Sequence, residues 1–499
     1  MNTAPPCSFV IFGITGDLAA RKLLPALFEL HRVGALNEQS RIVGYARSDW
    51  DDETLRDRLR DALQEYAHDD FDAALWDKLA PRISYVRGSY DEPEGFERLA
   101  ERLNDLGHDT RIFYTSTPPS TYAPITHCLG AAGLNDRGDA RFVVEKPFGH
   151  DLESAQKLNQ EVLEVFDESQ VYRIDHYLAK ETAQNIAALR FANTIFEPTW
   201  NSQYVDHVQV TMAEPMGVEG RGGFYEQAGV IRDVFQNHLL QLVALTATEP
   251  PTRYDARSVR DEKVKVFQAM ACVNPNQAVI GQYAGTDNQN SYRDEDGVDP
   301  KSRQGTFAAV QLAINNWRWA GVPFYVRTGK RLKAKASEIV VRYKRPPHIP
   351  FQNSEAVGAD RMVLRLVPNE GISLHFDAKV PGQGIDFTKV SMDFYYDRQF
   401  RRRNPDAYET LLLDVMLGDA TLFMRADEVE AQWEVVKPLL DSWESGDAEP
   451  AFYDPGSWGP PEADELLTRS GRYWHVPDDG KADAVAEKAE ADKETEEVA

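Results

Sequence analysis

In the first 175 residues, short apolar runs alternate with longer amphipathic segments, and this alternation limits the number of folds that the chain can adopt. The apolar runs have the length of buried strands, whereas the intervening segments have helical periodicity, as in Ala20–Arg32, Asp52–Tyr66 and Glu94–Asn104. Strands that alternate with helices are typical of a doubly wound parallel sheet. We therefore predict an α/β domain over residues 1–175, with strands at Ser8–Phe12, Arg41–Ala46, Ile83–Arg87, Arg111–Thr115, Arg141–Glu145 and Gln170–Ile174.

A glycine-containing turn joins the first predicted strand to the first predicted helix. Gly13 and Gly16 let the backbone turn tightly and approach a pyrophosphate, while the helix N-terminus supplies N–H groups and positive potential. Such turns are common, and about half are merely structural, but the strand–turn–helix context favours a dinucleotide site. Ala19 replaces the usual third glycine and still permits close packing. We predict a Rossmann-type domain whose cofactor-binding residues include Gly13, Thr15, Gly16, Asp17 and Leu18.

The residue after the second predicted strand bears on the choice of cofactor. An acidic residue here would hold the ribose hydroxyls of NAD, whereas Arg47 can accommodate the 2′-phosphate of NADP. A surface arginine without a ligand is the alternative interpretation. The position of Arg47 favours NADP, and use of NAD as well stays open.

The pattern changes beyond the first domain. A helix over Glu181–Asn193 is followed by alternating runs, and a long apolar helix is predicted over Val230–Ala247. Strands with segregated helices indicate an α+β domain on a mainly antiparallel sheet. We assign residues 176–477 to this domain and 478–499 to an acidic, disordered tail, with strands at Tyr204–Ala213, Ser337–Tyr343, Arg361–Leu366 and Ile372–Lys379.

The chain is strongly acidic, because 55 Lys and Arg against 80 Asp and Glu give a net charge of −25. Nucleic acid is therefore not an expected partner.

The longest apolar runs fall far short of the roughly 20 residues that a membrane-spanning helix needs, and the N-terminus lacks the basic region of a signal peptide. Cys7, Cys128 and Cys272 are scattered without metal-ligand spacing. We expect a cytoplasmic protein with reduced thiols, no bound metal and no membrane contact.

The segment Arg173–Glu181, with the sequence RIDHYLAKE, contains several titratable groups that core packing would not require. His176 and Lys180 are four residues apart, so on a helix they would share one face and could both bind one anion. Asp175 would point elsewhere and hold a different partner. The segment lies at the expected boundary of the two domains, where small-molecule sites concentrate.

RIDHYLAKE closely resembles the active-site signature of glucose-6-phosphate dehydrogenases, RIDHYLGKE, with Ala179 at the usual glycine. The resemblance covers nearly the whole chain before the tail: FGITGDLAARKLLPALFEL (Phe12 to Leu30), VVEKPFG (Val143 to Gly149), EPMGVEGRGGFYEQAGVIRDVFQNHLLQ (Glu214 to Gln241), RTGKRLKAK (Arg327 to Lys335), PDAYETLLLDVMLGD (Pro405 to Asp419) and GPPEADELL (Gly459 to Leu467). It implies oxidation of D-glucose 6-phosphate to 6-phospho-D-glucono-1,5-lactone, with hydride transfer to NADP, in the oxidative pentose phosphate pathway. It also implies a homodimer or homotetramer, with the second domain's sheet at the dimer interface.

The resemblance also implies roles for individual residues. His238 would be the catalytic base, although a lone histidine in an apolar helix is more often a core residue, and Asp175 would orient it. Substrate binding falls to Lys146, His176, Tyr177, Lys180, Glu214, Asp233, Lys330 and Lys335, and further cofactor contacts to Lys22, Tyr90, Asp91 and Lys146. For Arg331 and Lys333 we favour a solvated face.

Two alternative functions are considered for the chain. A sugar dehydrogenase of the glucose–fructose oxidoreductase type would share Lys146 but not RIDHYLAKE or DVFQNHLLQ. A non-catalytic NADPH-binding regulator would be expected to lack the base or its carboxylate, and both Asp175 and His238 are present.

Overall fold

The structure is a computed structural model that describes residues 2–67, 71–135, 139–286, 289–351, 357–400, 403–446 and 448–477. The tail predicted from residue 478 onward lies outside these ranges. The chain forms two compact units, each assembled from segments that are distant in sequence. The first contains Met1–Lys180, Pro251–Val264 and Pro405–Trp433, and the second contains Glu181–Pro250, Lys265–Asn404 and the chain from Glu434.

The first unit is built on a six-stranded parallel sheet. Its strand order is β3-β2-β1-β4-β5-β6, the order of a doubly wound dinucleotide-binding sheet, with the reversal between β1 and β4. All six predicted strands are present, with ends shifted by at most two residues, and the predicted fold class is confirmed. The strands are β1 (Cys7–Phe12), β2 (Arg41–Ala46), β3 (Ile83–Arg87), β4 (Thr110–Thr115), β5 (Asp139–Val144) and β6 (Val171–Arg173).

The second unit contains a nine-stranded mixed sheet in the order β14-β13-β12-β11-β7-β10-β9-β8-β15. Among the described strands of this sheet, only the pairs β7–β10 and β8–β15 are parallel, so the predicted α+β architecture with a mainly antiparallel sheet is also confirmed. The strands are β7 (Val205–Ala213), β8 (Ala278–Tyr283), β9 (Phe307–Ala313), β10 (Pro323–Gly329), β11 (Ala336–Tyr343), β12 (Arg361–Val367), β13 (Gly371–Lys379), β14 (Phe387–Tyr395) and β15 (Ala451–Tyr453).

The helices follow from local caps and apolar spacing. In α2, for example, Asp51 accepts a hydrogen bond from Thr54 N at 2.8 Å, and Leu55, Leu59 and Leu63 form one buried face. The α-helices are α1 (Leu24–Arg32), α2 (Asp52–Tyr66), α3 (Ala73–Leu79), α4 (Pro93–Leu106), α5 (Tyr122–Ala131), α6 (Leu152–Leu163), α7 (Glu181–Phe191), α8 (Gly222–Val230), α9 (Leu240–Ala247), α10 (Ala256–Ala269), α11 (Tyr396–Phe400), α12 (Ala407–Leu417), α13 (Ala426–Glu444) and α14 (Pro461–Thr468).

A helix that is distant in sequence, α12, completes the apolar core of the first unit. Leu411 and Leu412 of α12 are fully buried with Leu27 of α1 and Leu59 of α2 in one apolar cluster. Burial of such side chains stabilises each by about 1.5–3 kcal/mol. The segment Pro405–Trp433 is therefore an integral part of this unit.

The long helix predicted over Val230–Ala247 is present, but its winding is not α-helical throughout. The chain between α8 and α9 is a π-helix, Ile231–Leu239, and the helix is kinked at Gly229, where φ is +60°. At φ +60° and ψ 176°, Gly229 has a backbone conformation that residues with a side chain rarely adopt, so glycine is favoured there.

Among the described residues, no helix is both long enough and apolar enough to cross a membrane.

Candidate functional site

The glycine turn after β1 is built for close approach of a ligand to the backbone. Gly13 has φ +78°, and a Cβ atom there would lie 2.2 Å from Ser116 O, beyond β4. Gly13 N donates to Tyr45 O at 2.8 Å, and Gly16 N donates to Gly13 O at 2.9 Å. The turn therefore lies where the strand order reverses, the place at which doubly wound sheets bind dinucleotides. These residues fit a pyrophosphate.

The helix that follows this turn contains a π-helical stretch, Ala19–Leu23, before α1 begins at Leu24. Thr15 and Asp17 are exposed at the turn, and Leu18 is half-buried. Asp17 pairs with Arg21, and the Lys22 ammonium lies 3.8 Å from the Asp406 carboxylate. Lys22 is half-exposed, so this surface ion pair is weak and would yield readily to a phosphate.

Arg47 and Tyr90 are brought together beyond the ends of β2 and β3. The guanidinium carbon of Arg47 lies 5.8 Å from the Tyr90 ring centroid. Burial raises the pKa of Tyr90, and Arg47 acts against that rise. An exposed guanidinium beside a half-buried ring presents a cation and an aromatic face to the same ligand. Asp91 accepts a hydrogen bond from Ser89 Oγ at 2.5 Å.

The segment after β6 is a turn, and α7 begins only at Glu181, so the helix considered for His176 and Lys180 is not observed. Tyr177 brings these two residues together instead. Its ring centroid lies 5.0 Å from that of His176 and 5.6 Å from Lys180 Nζ. Asp175 is 1% exposed and accepts a hydrogen bond from Tyr177 N at 2.9 Å.

Glu145 is a buried residue of the site region that the sequence analysis missed. Its Oε1 accepts hydrogen bonds from Tyr114 at 2.6 Å and from Tyr408 at 3.2 Å. Burial raises the pKa of Glu145, and the two tyrosine bonds act against that rise. Tyr122 also donates to the Glu145 backbone oxygen at 3.0 Å. These contacts fix the chain immediately before Lys146, whose peptide bond to Pro147 is cis.

In the second unit, Lys330 joins two carboxylates. Its ammonium forms a hydrogen-bonded ion pair with Glu214 and lies 3.7 Å from the Asp233 carboxylate. The Lys330 side chain is only 7% exposed, which strengthens these charge interactions relative to a surface pair. Lys335 is exposed. We call Glu214, Asp233 and Lys330 the carboxylate–lysine cluster.

His238 is 2% exposed and lies on the π-helix that also carries Asp233. In an α-helix, residues five apart are separated by about 140° around the axis. A π-helix closes its hydrogen bonds at the fifth residue and so places such residues nearly above one another. The widened winding therefore puts Asp233 and His238 on the same helix face.

The expectation of a solvated Arg331 is wrong. Arg331 Nη2 donates to Glu295 at 3.2 Å, and both side chains are largely buried. Its φ of +52° is unusual for a residue with a side chain. This pairing fixes the backbone next to Lys330. Lys333 is exposed.

Comparison with known protein families assigns both parts of the chain. Residues 10–185 match the model "Glucose-6-phosphate dehydrogenase, NAD binding domain", and residues 187–475 match "Glucose-6-phosphate dehydrogenase, C-terminal domain". Glucose-6-phosphate 1-dehydrogenase 2 of Mycobacterium tuberculosis is 44% identical over 490 residues, with 95% of each chain covered. Glucose-6-phosphate 1-dehydrogenase of Mycolicibacterium smegmatis is 46% identical over 493 residues, covering 95% of this chain and 99% of the relative.

Solved structures give the same result. A glucose-6-phosphate dehydrogenase in complex with glucose-6-phosphate has a TM-score of 0.90 and 37% identity, and the match covers 95% of this chain and 100% of the other. Glucose-6-phosphate 1-dehydrogenase from Mycobacterium avium has a TM-score of 0.86 and 38% identity, with coverage of 95% and 99%. The Saccharomyces cerevisiae Gal80p super-repressor mutant has a TM-score of 0.52 at 10% identity, which is a likeness of fold alone.

Proposed function

The chain belongs to the glucose-6-phosphate dehydrogenase family, and from this premise we propose which of its residues perform the reaction. As a member, it is an oxidoreductase that converts D-glucose 6-phosphate to 6-phospho-D-glucono-1,5-lactone. The observation that carries this conclusion is the match of both family models together with relatives 44–46% identical over 95% of this chain. The direct test is the absorbance of reduced nicotinamide with glucose 6-phosphate, run with NADP and then NAD.

We propose His238 as the base that removes the proton of the anomeric hydroxyl, with Asp175 as the carboxylate that orients it. Burial of the imidazole supports this role, because proton transfer is efficient where water does not compete. A carboxylate bonded to the second ring nitrogen would fix the tautomer and stabilise the imidazolium that forms. The cofactor would accept the hydride from the same carbon.

Recognition of the phosphate is assigned to His176, Tyr177 and Lys180. His176 and Lys180 both lie next to the Tyr177 ring, and this arrangement supports the proposal. Charge-assisted hydrogen bonds to a dianion are strong, and a protein of net charge −25 must concentrate cations locally to attract one. Lys146 would contact both substrate and cofactor.

His176→Asn or Lys180→Ala is expected to raise KM for glucose 6-phosphate by about 10–100-fold, since each removes one charge-assisted contact of roughly 1.5–3 kcal/mol. Steady-state kinetics with glucose as the alternative substrate provide the comparison. Glucose lacks the phosphate, so its kcat/KM should change much less. An equal loss with both substrates would contradict the phosphate role.

The remaining sugar contacts are assigned to the second unit. Glu214 and Asp233 would accept hydrogen bonds from sugar hydroxyls, and Lys330 and Lys335 would donate. The ion pairs within the carboxylate–lysine cluster support this proposal, because groups already held in place lose less entropy when a ligand binds.

NADP is the proposed cofactor, with use of NAD as well left to experiment. The glycine turn with Gly13, Thr15, Gly16, Asp17 and Leu18 would hold the pyrophosphate, and Lys22, Arg47, Tyr90, Asp91 and Lys146 would make further contacts. The Arg47–Tyr90 pair supports NADP over NAD, since an exposed guanidinium suits a 2′-phosphate.

Arg47→Ala is expected to raise KM for NADP by about tenfold or more, because a charge-assisted contact to the 2′-phosphate is lost. KM for NAD should change less than about twofold, since NAD has no phosphate at that position. Initial rates with each cofactor at saturating glucose 6-phosphate measure both constants. Equal increases would show that Arg47 does not read the 2′-phosphate.

We further propose a cytoplasmic homodimer or homotetramer that binds neither nucleic acid nor membrane. Support for the oligomer comes from β14, whose residues are mostly exposed, including Met392 at 63%. An edge strand with exposed apolar side chains favours association with a second copy. Light scattering after size-exclusion chromatography measures the assembly.

A further inference from the structure

Tyr225 adjoins the carboxylate–lysine cluster but is not among the residues assigned to substrate binding. It lies on α8 and is 2% exposed. The Lys330 ammonium is 5.7 Å from the centroid of its ring. A cation over a tyrosine face is an attractive arrangement, and it fixes the position of this ring against the cluster.

The ring of Tyr225 also contacts a second tyrosine. Tyr292 meets it edge to face, with centroids 6.1 Å apart at an angle of 68°. Tyr292 is fully buried, although its segment, Gly285 to Pro300, has the composition of an exposed polar loop. It donates a hydrogen bond to Glu226 at 2.6 Å, and Ser302 Oγ donates to the same oxygen at 2.6 Å. The two tyrosines therefore occupy similar surroundings but differ in their hydroxyl partners.

The Tyr225 hydroxyl is buried and has no hydrogen-bond partner among the described residues. Buried hydroxyl groups in folded proteins are nearly always paired, and leaving one unpaired costs stability that phenylalanine would not cost. The pKa of Tyr225 is raised by burial and by the charges of Asp233 and Glu214, so the group stays protonated and can donate. An unpaired donor beside two carboxylates proposed to hold sugar hydroxyls calls for a polar partner from a ligand.

On the basis of the proposed function, we propose that Tyr225 is a specificity-determining residue whose hydroxyl binds one non-reacting ring hydroxyl of the sugar. Glu214 and Asp233 accept hydrogen bonds from the sugar, whereas Tyr225 can donate one. The site would thereby distinguish glucose 6-phosphate from an analogue that lacks this hydroxyl. Lys330, whose ammonium lies over the Tyr225 ring, would keep its contacts with Glu214 and Asp233.

Tyr225→Phe is expected to raise KM for glucose 6-phosphate about tenfold, the equivalent of one lost hydrogen bond. KM for NADP should not change, and Tm should stay the same or rise, since the unpaired hydroxyl is removed. The probes are 2-deoxy-, 3-deoxy- and 4-deoxyglucose 6-phosphate. With one of them, the same substitution should alter KM less than about twofold, because the hydroxyl in question is already missing.

Tyr292→Phe is the matched control. It removes a hydroxyl of similar burial next to the same ring, and it should lower Tm through the lost bond to Glu226 while leaving KM for the sugar unchanged. An unchanged KM in Tyr225→Phe, or an equal rise with all three deoxy sugars, would overturn the role of Tyr225. Absence of glucose 6-phosphate oxidation by the unaltered protein would instead overturn the proposed function.

Discussion

Replacing His238 with asparagine is expected to reduce kcat by about 10²–10⁴-fold, the usual contribution of a positioned general base. Asparagine keeps hydrogen-bonding capacity and approximate volume but cannot accept the proton. KM for glucose 6-phosphate should change little, because the sugar contacts proposed for Glu214 and Lys330 remain. Steady-state kinetics and substrate binding measured separately by calorimetry would distinguish lost chemistry from lost affinity.

Loss of stability must be separated from loss of chemistry, since His238 is buried. His207→Asn offers a control in the same unit: His207 is 3% exposed and bonds Asp206 at 2.6 Å. That variant should lower Tm and retain kcat. A His238→Asn enzyme with turnover within about threefold of the original would identify another group as the base.

Gly13→Ala is expected to lower the free energy of unfolding by about 2–4 kcal/mol and to weaken NADP binding more than tenfold. Two effects add. Alanine at φ +78° costs about 1–2 kcal/mol by itself. In addition, the new methyl group would lie 2.2 Å from Ser116 O, so the backbone that presents N–H groups to the pyrophosphate must move.

Gly34→Ala separates these two effects. Gly34 has φ +73°, close to that of Gly13, but a Cβ atom there meets nothing within 4 Å. This variant should lose only about 1–2 kcal/mol and bind NADP normally. Urea denaturation and fluorescence titration with NADP measure both quantities. Similar losses of cofactor affinity in the two variants would mean that the packing of Gly13 against Ser116 is unimportant.

The parallel sheet could be predicted because its information is local. Each of its strands is a short apolar run bounded by turn residues, and the helix Asp52–Tyr66 has both its cap and its leucine spacing in one segment. The glycine turn and Arg47 were identifiable from their position relative to those strands.

Other features depend on contacts between distant segments, which local patterns do not carry. Tyr408 bonds Glu145 although 263 residues separate them, so the anchoring of Lys146 could not be inferred from EKPFG alone. The edge strand Phe387–Tyr395 was missed, although Val390, Met392 and Phe394 alternate with polar residues in it. The burial of Tyr292 could likewise not be predicted, because the residues around it in the sequence are mostly polar.

The π-helix between Ile231 and Leu239 has a consequence for how this segment can vary. A π-helical turn contains one residue more than an α-helical turn. The relative positions of side chains in this segment therefore depend on how many residues it contains as well as on which residues they are. Deleting one residue between Asp233 and His238 would let the segment relax to α-helical winding, in which the two residues would be four apart and still only about 40° from one another around the axis. In this segment the loss of one residue and the loss of the wide turn can therefore compensate each other, whereas α-helical winding at the present length would separate Asp233 and His238 by about 140°.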